Sequence, residues 1–175
     1  ILRCLVGSEM CIRDRYHSAY FDENDGVWTH GDYLEMTENG GAIIYGRSDT
    51  TLNPGGVRIG TAEIYRSIEN FEGIIDSVVV GKPEDSDVSI VLCVKLSERI
   101  IITDELRDKI KLQIRKSTTP RHVPNYIFQV SDIPYTISGK KVEKAVLDSI
   151  LGKKVKNKDA LINPESLKQY SNLPF

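Results

Sequence analysis

The chain has 175 residues, of which 40% are hydrophobic, and a formal net charge of −2. That length holds one or two small domains with a genuine core, and the balance is that of an ordinary globular protein. It offers no global electrostatic case for a nucleic-acid partner, and no apolar run approaches the roughly 20 residues that span a bilayer. Cys4, Cys11 and Cys93 make neither a metal pair nor a disulfide framework, so a reducing, cytoplasmic compartment is the default. Cys93 lies in the apolar run SIVLCVKL and reads as a small buried hydrophobe.

The first fifteen residues, ILRCLVGSEMCIRDR, fit nothing that follows. They lack the compact apolar segment and small-residue cleavage site of a signal peptide. Residues 5–14 (LVGSEMCIRD) resemble the in-frame translation of a transposase sequencing adapter. Residues 1–15 are therefore read as a non-native segment, with the natural sequence beginning near Tyr16. Aromatic and branched residues over 27–36 predict a strand, Glu38-Asn39-Gly40-Gly41 a turn, and 42–45 a returning strand. Such a hairpin is marginal in water alone, so it is expected to close a larger β-rich subdomain and to carry a sticky apolar face. By residue type, Asp32 after Gly31 is a turn residue and His30 a strand-end side chain.

Residues 46–65 read GRSDTTLNPGGVRIGTAEIY, with Arg47, Asp49 and Arg58 on both sides of a Pro-Gly-Gly turn. Guanidinium forks match phosphate oxygens, and bare glycines let a ligand approach the main chain. The stretch thus suits a phosphate or a ribose, the alternative being a polar loop between a hairpin and a helix. Thr61 is an N-cap candidate with Glu63 in the first turn, and Ile64, Ile68 and Phe71 recur at helical spacing. Residues 74–81 and 89–96 predict strands around a polar turn at 81–87 (GKPEDSD).

Thr103 is expected to cap a helix over 104–116 with Leu106, Ile110 and Ile114 inward, and Arg115 is by type a helix-end cation. Pro120 and Pro124 constrain the loop over 117–124, and 125–130 reads as a strand. IPYTISGKKVEKAV follows, and a helix is predicted over 142–151 with Val142, Val146 and Ile150 on one face. A lysine after Ser-Gly, such as Lys140, is by type an exposed loop residue. Residues 152–158 (GKKVKNK) read as a solvated basic run.

Residues 46–65 resemble the hinge motif of the adenylate-forming acyl-CoA synthetases, closest to the acetyl-CoA and acetoacetyl-CoA synthetase branch. IPYTISGK resembles the P-x-T-x-S-G-K signature of the same family, and the tail word Asn163-Pro164-Glu165-Ser166-Leu167 is similar to the acetoacetyl branch. The resemblance runs from about Tyr16 to Phe175. It implies an α+β fold: a β-hairpin remnant of the large adenylating domain (16–48), then the small mobile α/β C-terminal domain (49–151), then a C-terminal tail (152–175). It also implies an acid–thiol ligase that activates acetoacetate as acetoacetyl-AMP and transfers it to CoA. ATP with Mg²⁺ and CoA would be co-substrates, with no prosthetic group and no metal ligands in this stretch. The partners implied are those small molecules and the missing N-terminal domain of the same protein, with no nucleic acid or membrane.

Position by position, the resemblance makes Lys140 the catalytic lysine of adenylation. Asp32 and Arg47 would hold the ribose of ATP and Arg58 the nucleotide phosphate. Asp49 would be the hinge. Gly55 and Gly56 would lie along the pantetheine of CoA. Arg115, 25 residues ahead of Lys140, would meet the ribose phosphate of CoA. Lys141 is expected to face solvent. Tyr135 and Ile137 stand where relatives often carry basic residues, a departure that bears on loop mobility and leaves the lysine in place. The glycine-rich phosphate loop, adenine-binding residues and acyl pocket of the family are absent, so this chain alone is expected to be inactive. Two other readings stay open: a ligase for another short acid such as acetate, and a non-catalytic module that binds CoA or nucleotide.

Overall fold

The computed structural model describes residues 13–175 except 15, 18, 19, 23, 49, 50, 85, 86, 156 and 157, and except the side chains of residues 33, 45 and 47. The chain divides into two units, residues 1–32 and residues 33–175. In the first, residues 13, 14, 16, 17 and 20 are helical. Its rings pack in series: Tyr20 stacks on Trp28 with centroids 5.3 Å apart, and Trp28 meets His30 at 5.1 Å.

Strands β1 (Asp32–Met36) and β2 (Ala42–Arg47) form a two-stranded sheet. The expected turn is present, with the Gly40 amide donating to the Thr37 carbonyl at 3.0 Å. β1 is shorter than the strand expected over 27–36. Gly31 takes φ 81, which interrupts an extended run just before Asp32. Leu34, Met36, Ile43 and Ile44 of the hairpin are exposed, the apolar surface expected of a two-stranded hairpin.

The remaining elements build around one sheet. They are α1 (Thr61–Ile68), β3 (Ile74–Glu84), β4 (Asp87–Leu96), α2 (Asp104–Ser117), β5 (Tyr126–Gln129), α3 (Glu143–Ile150) and the short α4 (Leu167–Tyr170). The sheet order is β3-β4-β5, with β3 antiparallel and β5 parallel to the central β4. Both faces of β4 are covered, which is why its sequence is a continuous apolar run rather than an alternation. Val79, Ile90, Leu92 and Val94 pack with Ile64, Ile68, Ile110 and Ile114 of α1 and α2. On the other face Val78, Val80, Val91 and Cys93 pack with Ile133, Val146 of α3 and Tyr170 of α4. Cys93 is buried as its sequence context implied, and burial pushes its thiol up to about 12.

Several local expectations are corrected. The cap of α1 is Gly60, not Thr61, which is the buried first residue of the helix. By contrast Thr103 does cap α2, accepting from the Leu106 amide at 3.2 Å. The β3–β4 ladder runs on through Gly81–Glu84 to the Glu84–Asp87 pair, so most of the expected polar turn is strand. Gly81 is a close-approach residue there: a Cβ would lie 2.7 Å from Val88 Cγ1. Val142 precedes α3 instead of opening it. Phe71 lies beyond α1 but still packs against the core.

Acid stability follows from three carboxylates held below their ordinary range. The Lys82 hydrogen bond does this for Glu84, the Gly55 amide for Asp87, and the Lys95 hydrogen bond for Asp132. A group depressed in the folded state stabilises above its unfolded pKa, near 4, and loses that contribution as pH falls through its folded value. The urea midpoint is therefore expected to hold from neutral pH down to about 5 and to fall below about 4. An Asp132→Asn variant should show a shallower fall, and an equally steep one would count against this origin.

Candidate functional site

The glycine turn stands on a rigid base. Leu52 and Ile59 exchange both backbone hydrogen bonds at 2.9 Å and bury their side chains in the core. The loop between them carries Pro54-Gly55-Gly56 and the exposed Arg58. Gly55 takes φ 57 and Gly56 φ 74, a region that favours glycine. The Gly55 amide donates to Asp87 Oδ1 at 2.6 Å, so that donor is already engaged by this chain. A Cβ on Gly55 would sit 3.1 Å from an Arg121 guanidinium nitrogen, which places Arg121 against the turn.

Arg121 belongs to a single helical turn, Pro120–His122. Pro120 also lines, with Arg115 and Lys111 of α2, a shallow recess of about 360 Å³. The Pro120–His122 turn therefore joins the glycine loop to Arg115. It is pinned from beneath by the buried His122, whose Nδ1 meets Thr119 Oγ1 at 2.9 Å and whose Nε2 meets Glu63 Oε2 at 2.8 Å. Arg121 and the His122–Glu63 pair were not singled out from the sequence. His122 and Glu63 are 59 residues apart, and no local spacing announces such a pair.

Lys140 is exposed on a tight turn between Tyr135 and Lys141, which pair as an antiparallel bridge. Gly139 takes φ 79 and donates to the Thr136 carbonyl at 2.8 Å. The Lys140 amide donates to Thr136 Oγ1 at 3.0 Å. This explains the Thr-x-Ser-Gly-Lys word locally: Thr136 closes the turn and Gly139 supplies its positive φ.

Lys141 corrects an expectation. Its ammonium does not face solvent but donates to the Ser77 carbonyl and pairs with Asp76 Oδ1, both at 2.7 Å, and lies 4.6 Å from the Tyr65 ring centroid. Tyr135 donates to Asp76 Oδ2 at 2.7 Å. Tyr65 in turn donates to Glu143 Oε1 at 2.6 Å and accepts from the Val79 amide at 3.0 Å. Burial, then the Glu143 charge, raises the Tyr65 hydroxyl well above the usual tyrosine range. An open groove of about 460 Å³ runs over this network.

The chain's tail completes the seat of the Lys140 turn. The Ile137 amide donates to the Ala160 carbonyl at 3.0 Å, and the Ile162 amide donates to the Tyr135 carbonyl at 2.9 Å. Asn163 donates to the Ile133 carbonyl at 2.9 Å and to Asp132, and accepts from the Tyr135 amide at 3.1 Å. The Asn163 of the tail word is thus a structural partner of the lysine loop.

The two loops lie apart. Gly55 is tied to Asp87 at the hairpin end of β3–β4, whereas the Lys140 turn is tied to Asp76 near the start of β3. Their anchors lie eight residues apart along β3, from Asp76 to Glu84, which pairs with Asp87, roughly 25 Å of strand. Asp32 belongs to the first unit, where its Oδ2 meets His30 Nδ1 at 2.5 Å. The Arg47 side chain and Asp49 lie outside the described residues. Among the described residues, no three His, Cys, Asp or Glu side chains converge on a metal position.

No protein-family model matches the chain. An acetoacetyl-coenzyme A synthetase of Rhizobium meliloti is 50% identical over 159 residues, which is 91% of this chain and 24% of that protein. An acetoacetyl-CoA synthetase of Danio rerio is 46% identical over 162 residues, with the same coverage of each. The solved acetoacetyl-CoA synthetase from Streptomyces lividans superposes with a TM-score of 0.81 at 38% identity, covering 90% of this chain and 24% of that one. The chain is similar to the acetoacetyl-CoA synthetases over nearly its whole length. It spans about a quarter of their length. Its α+β fold is that of the C-terminal domain of adenylate-forming enzymes.

Proposed function

We propose that the chain is the C-terminal part of an ATP-dependent acid–thiol ligase that makes acetoacetyl-CoA. In the first half-reaction an acetoacetate carboxylate oxygen attacks the α-phosphorus of ATP and pyrophosphate leaves. In the second, the CoA sulfur attacks the acyl carbon of the mixed anhydride, AMP leaves and the thiol proton passes to solvent. Negative charge crowds where carboxylate and α-phosphate meet. The Lys140 ammonium, compact and carried on a flexible stem, serves as the point charge at that junction. Arg58, with Asp32 and Arg47, is assigned to the nucleotide. Gly55, Gly56 and Arg115 are assigned to CoA. Mg²⁺ enters with ATP as part of that substrate, and no residue of this chain is assigned to it.

The observation that carries this reading is the separation of the lysine turn from the glycine loop by roughly 25 Å of strand within one homologous domain. Two ends that far apart do not act on one acyl carbon in the same orientation. Each half-reaction uses one end, and a swing of the small domain about Asp49 exchanges them. The remaining three quarters of the ligase, with the acyl pocket and phosphate loop, is the partner that the exposed face of β1 and β2 would meet. A cytoplasmic location is part of the same proposal.

The test is AMP formation by the complete ligase carrying this sequence, supplied with ATP, CoA and either acetoacetate or acetate. Turnover is expected with acetoacetate. Preference for acetate would keep the mechanism and change the substrate, and absence of AMP with either acid would overturn the assignment.

A further inference from the structure

We propose that Asp76 is the positioning residue of the Lys140 turn, its single carboxylate gripping both ends of the loop; this rests on the assignment of Lys140 to adenylation. Oδ2 accepts from the Tyr135 hydroxyl and Oδ1 pairs with the Lys141 ammonium, each at 2.7 Å. Those two residues are the ones that face each other across the base of the turn. Between them Thr136 is half-buried and closes the turn, whereas Ile137, Ser138, Gly139 and Lys140 are all exposed. The direction of Lys140 is accordingly set at the base. Successive side chains of an extended segment point to opposite sides, so drawing Lys141 inward onto Asp76 sends Lys140 outward.

The grip is itself held in place. Asp76 Oδ1 also accepts from the Ser77 amide at 2.8 Å, and Lys141 donates to the Ser77 carbonyl on β3. The Tyr65 ring beneath Lys141 is fixed by Glu143 and the Val79 amide. Burial and the Asp76 carboxylate raise the Tyr135 hydroxyl above the ordinary tyrosine range, so it remains a donor at neutral pH. Tyr135 and Lys141 are thus the anchors of a loop whose working residue lies between them.

The test combines two readouts. In the 175-residue chain, hydrogen exchange at the Gly139 and Lys140 amides is expected to accelerate in Asp76→Asn. Amides inside β3 and β4, such as those of Val79 and Leu92, should keep their protection. In the complete ligase, the same variant is expected to slow adenylation by about 10–100-fold, the effect of a small misplacement of a reacting group. Thioester formation from supplied acetoacetyl-adenylate should be unchanged. Asp76→Glu, which keeps the carboxylate, should recover part of the loss. The proposal is overturned if both half-reactions fall together, if the sheet amides also lose protection, or if the turn loosens while adenylation is unaffected. Should Lys140→Ala leave adenylation intact, the parent reading fails, and the exchange data still decide whether Asp76 holds the turn.

Discussion

Replacing Lys140 by alanine is expected to slow adenylation by about 10²–10³-fold while sparing thioester formation from supplied acetoacetyl-adenylate. The magnitude is that of one preorganised charge aimed at a developing negative centre, roughly 3–4 kcal/mol. The selectivity follows from geometry. Lys140 stands on the turn tied to Asp76, near the start of β3, and the glycine loop assigned to CoA is tied to Asp87 at the other end. The side chain is exposed, so truncation leaves the fold intact. Separate assays of pyrophosphate release and of CoA consumption decide the matter. Equal loss of both half-reactions would remove the role assigned to Lys140.

The second large effect is on stability. Tyr170→Ala is expected to cost roughly 3–5 kcal/mol, as for other large aromatic truncations in a core. Tyr170 is 0% exposed and sits in the cluster with Val80, Val91 and Cys93. Its hydroxyl donates to the Asp132 carbonyl at 2.9 Å, and burial raises it well above the usual tyrosine range. Gln169 fastens the same segment, accepting from the Ser131 amide and donating to the Asp132 carbonyl, both at 2.7 Å. Tyr170→Phe keeps the volume and loses one hydrogen bond, so it should cost only about 1 kcal/mol. Urea unfolding of the 175-residue chain measures both. A cost for Tyr170→Ala below that of Tyr170→Phe would mean that the tail does not share the sheet's core.

Much of the local structure was legible in the chain because local rules decided it. Thr103 with two acids behind it opened a helix, Ile110 and Ile114 faced inward, and SIVLCVKL became the central strand. Where the sequence misled, a residue served a tertiary purpose that its type does not announce. Gly81 reads as a turn and is a strand residue that a neighbouring valine crowds. Thr61 reads as a cap and is buried. Lys141 reads as a solvated cation and is an anchor.

The candidate site divides in the same way. The motif words marked Lys140, Gly55, Gly56 and Arg58, because the turn geometry and charges they encode are written in contiguous residues, and Arg115 was marked by its 25-residue spacing from Lys140. Nothing contiguous marked Asp76, Arg121, or the His122–Glu63 pair. Their partners lie 59 or more residues away along the chain for Tyr135–Asp76, His122–Glu63 and Lys141–Ser77. Pairing across such separations arises only when the sheet brings distant segments together. Composition and spacing were enough for the elements and the chemistry of single loops. The folded packing alone settled that the tail belongs to the core and that the lysine turn and the glycine loop occupy opposite ends of β3. Long-range burial and hydrogen bonding choose among many locally equivalent arrangements, and a linear pattern carries no measure of that choice.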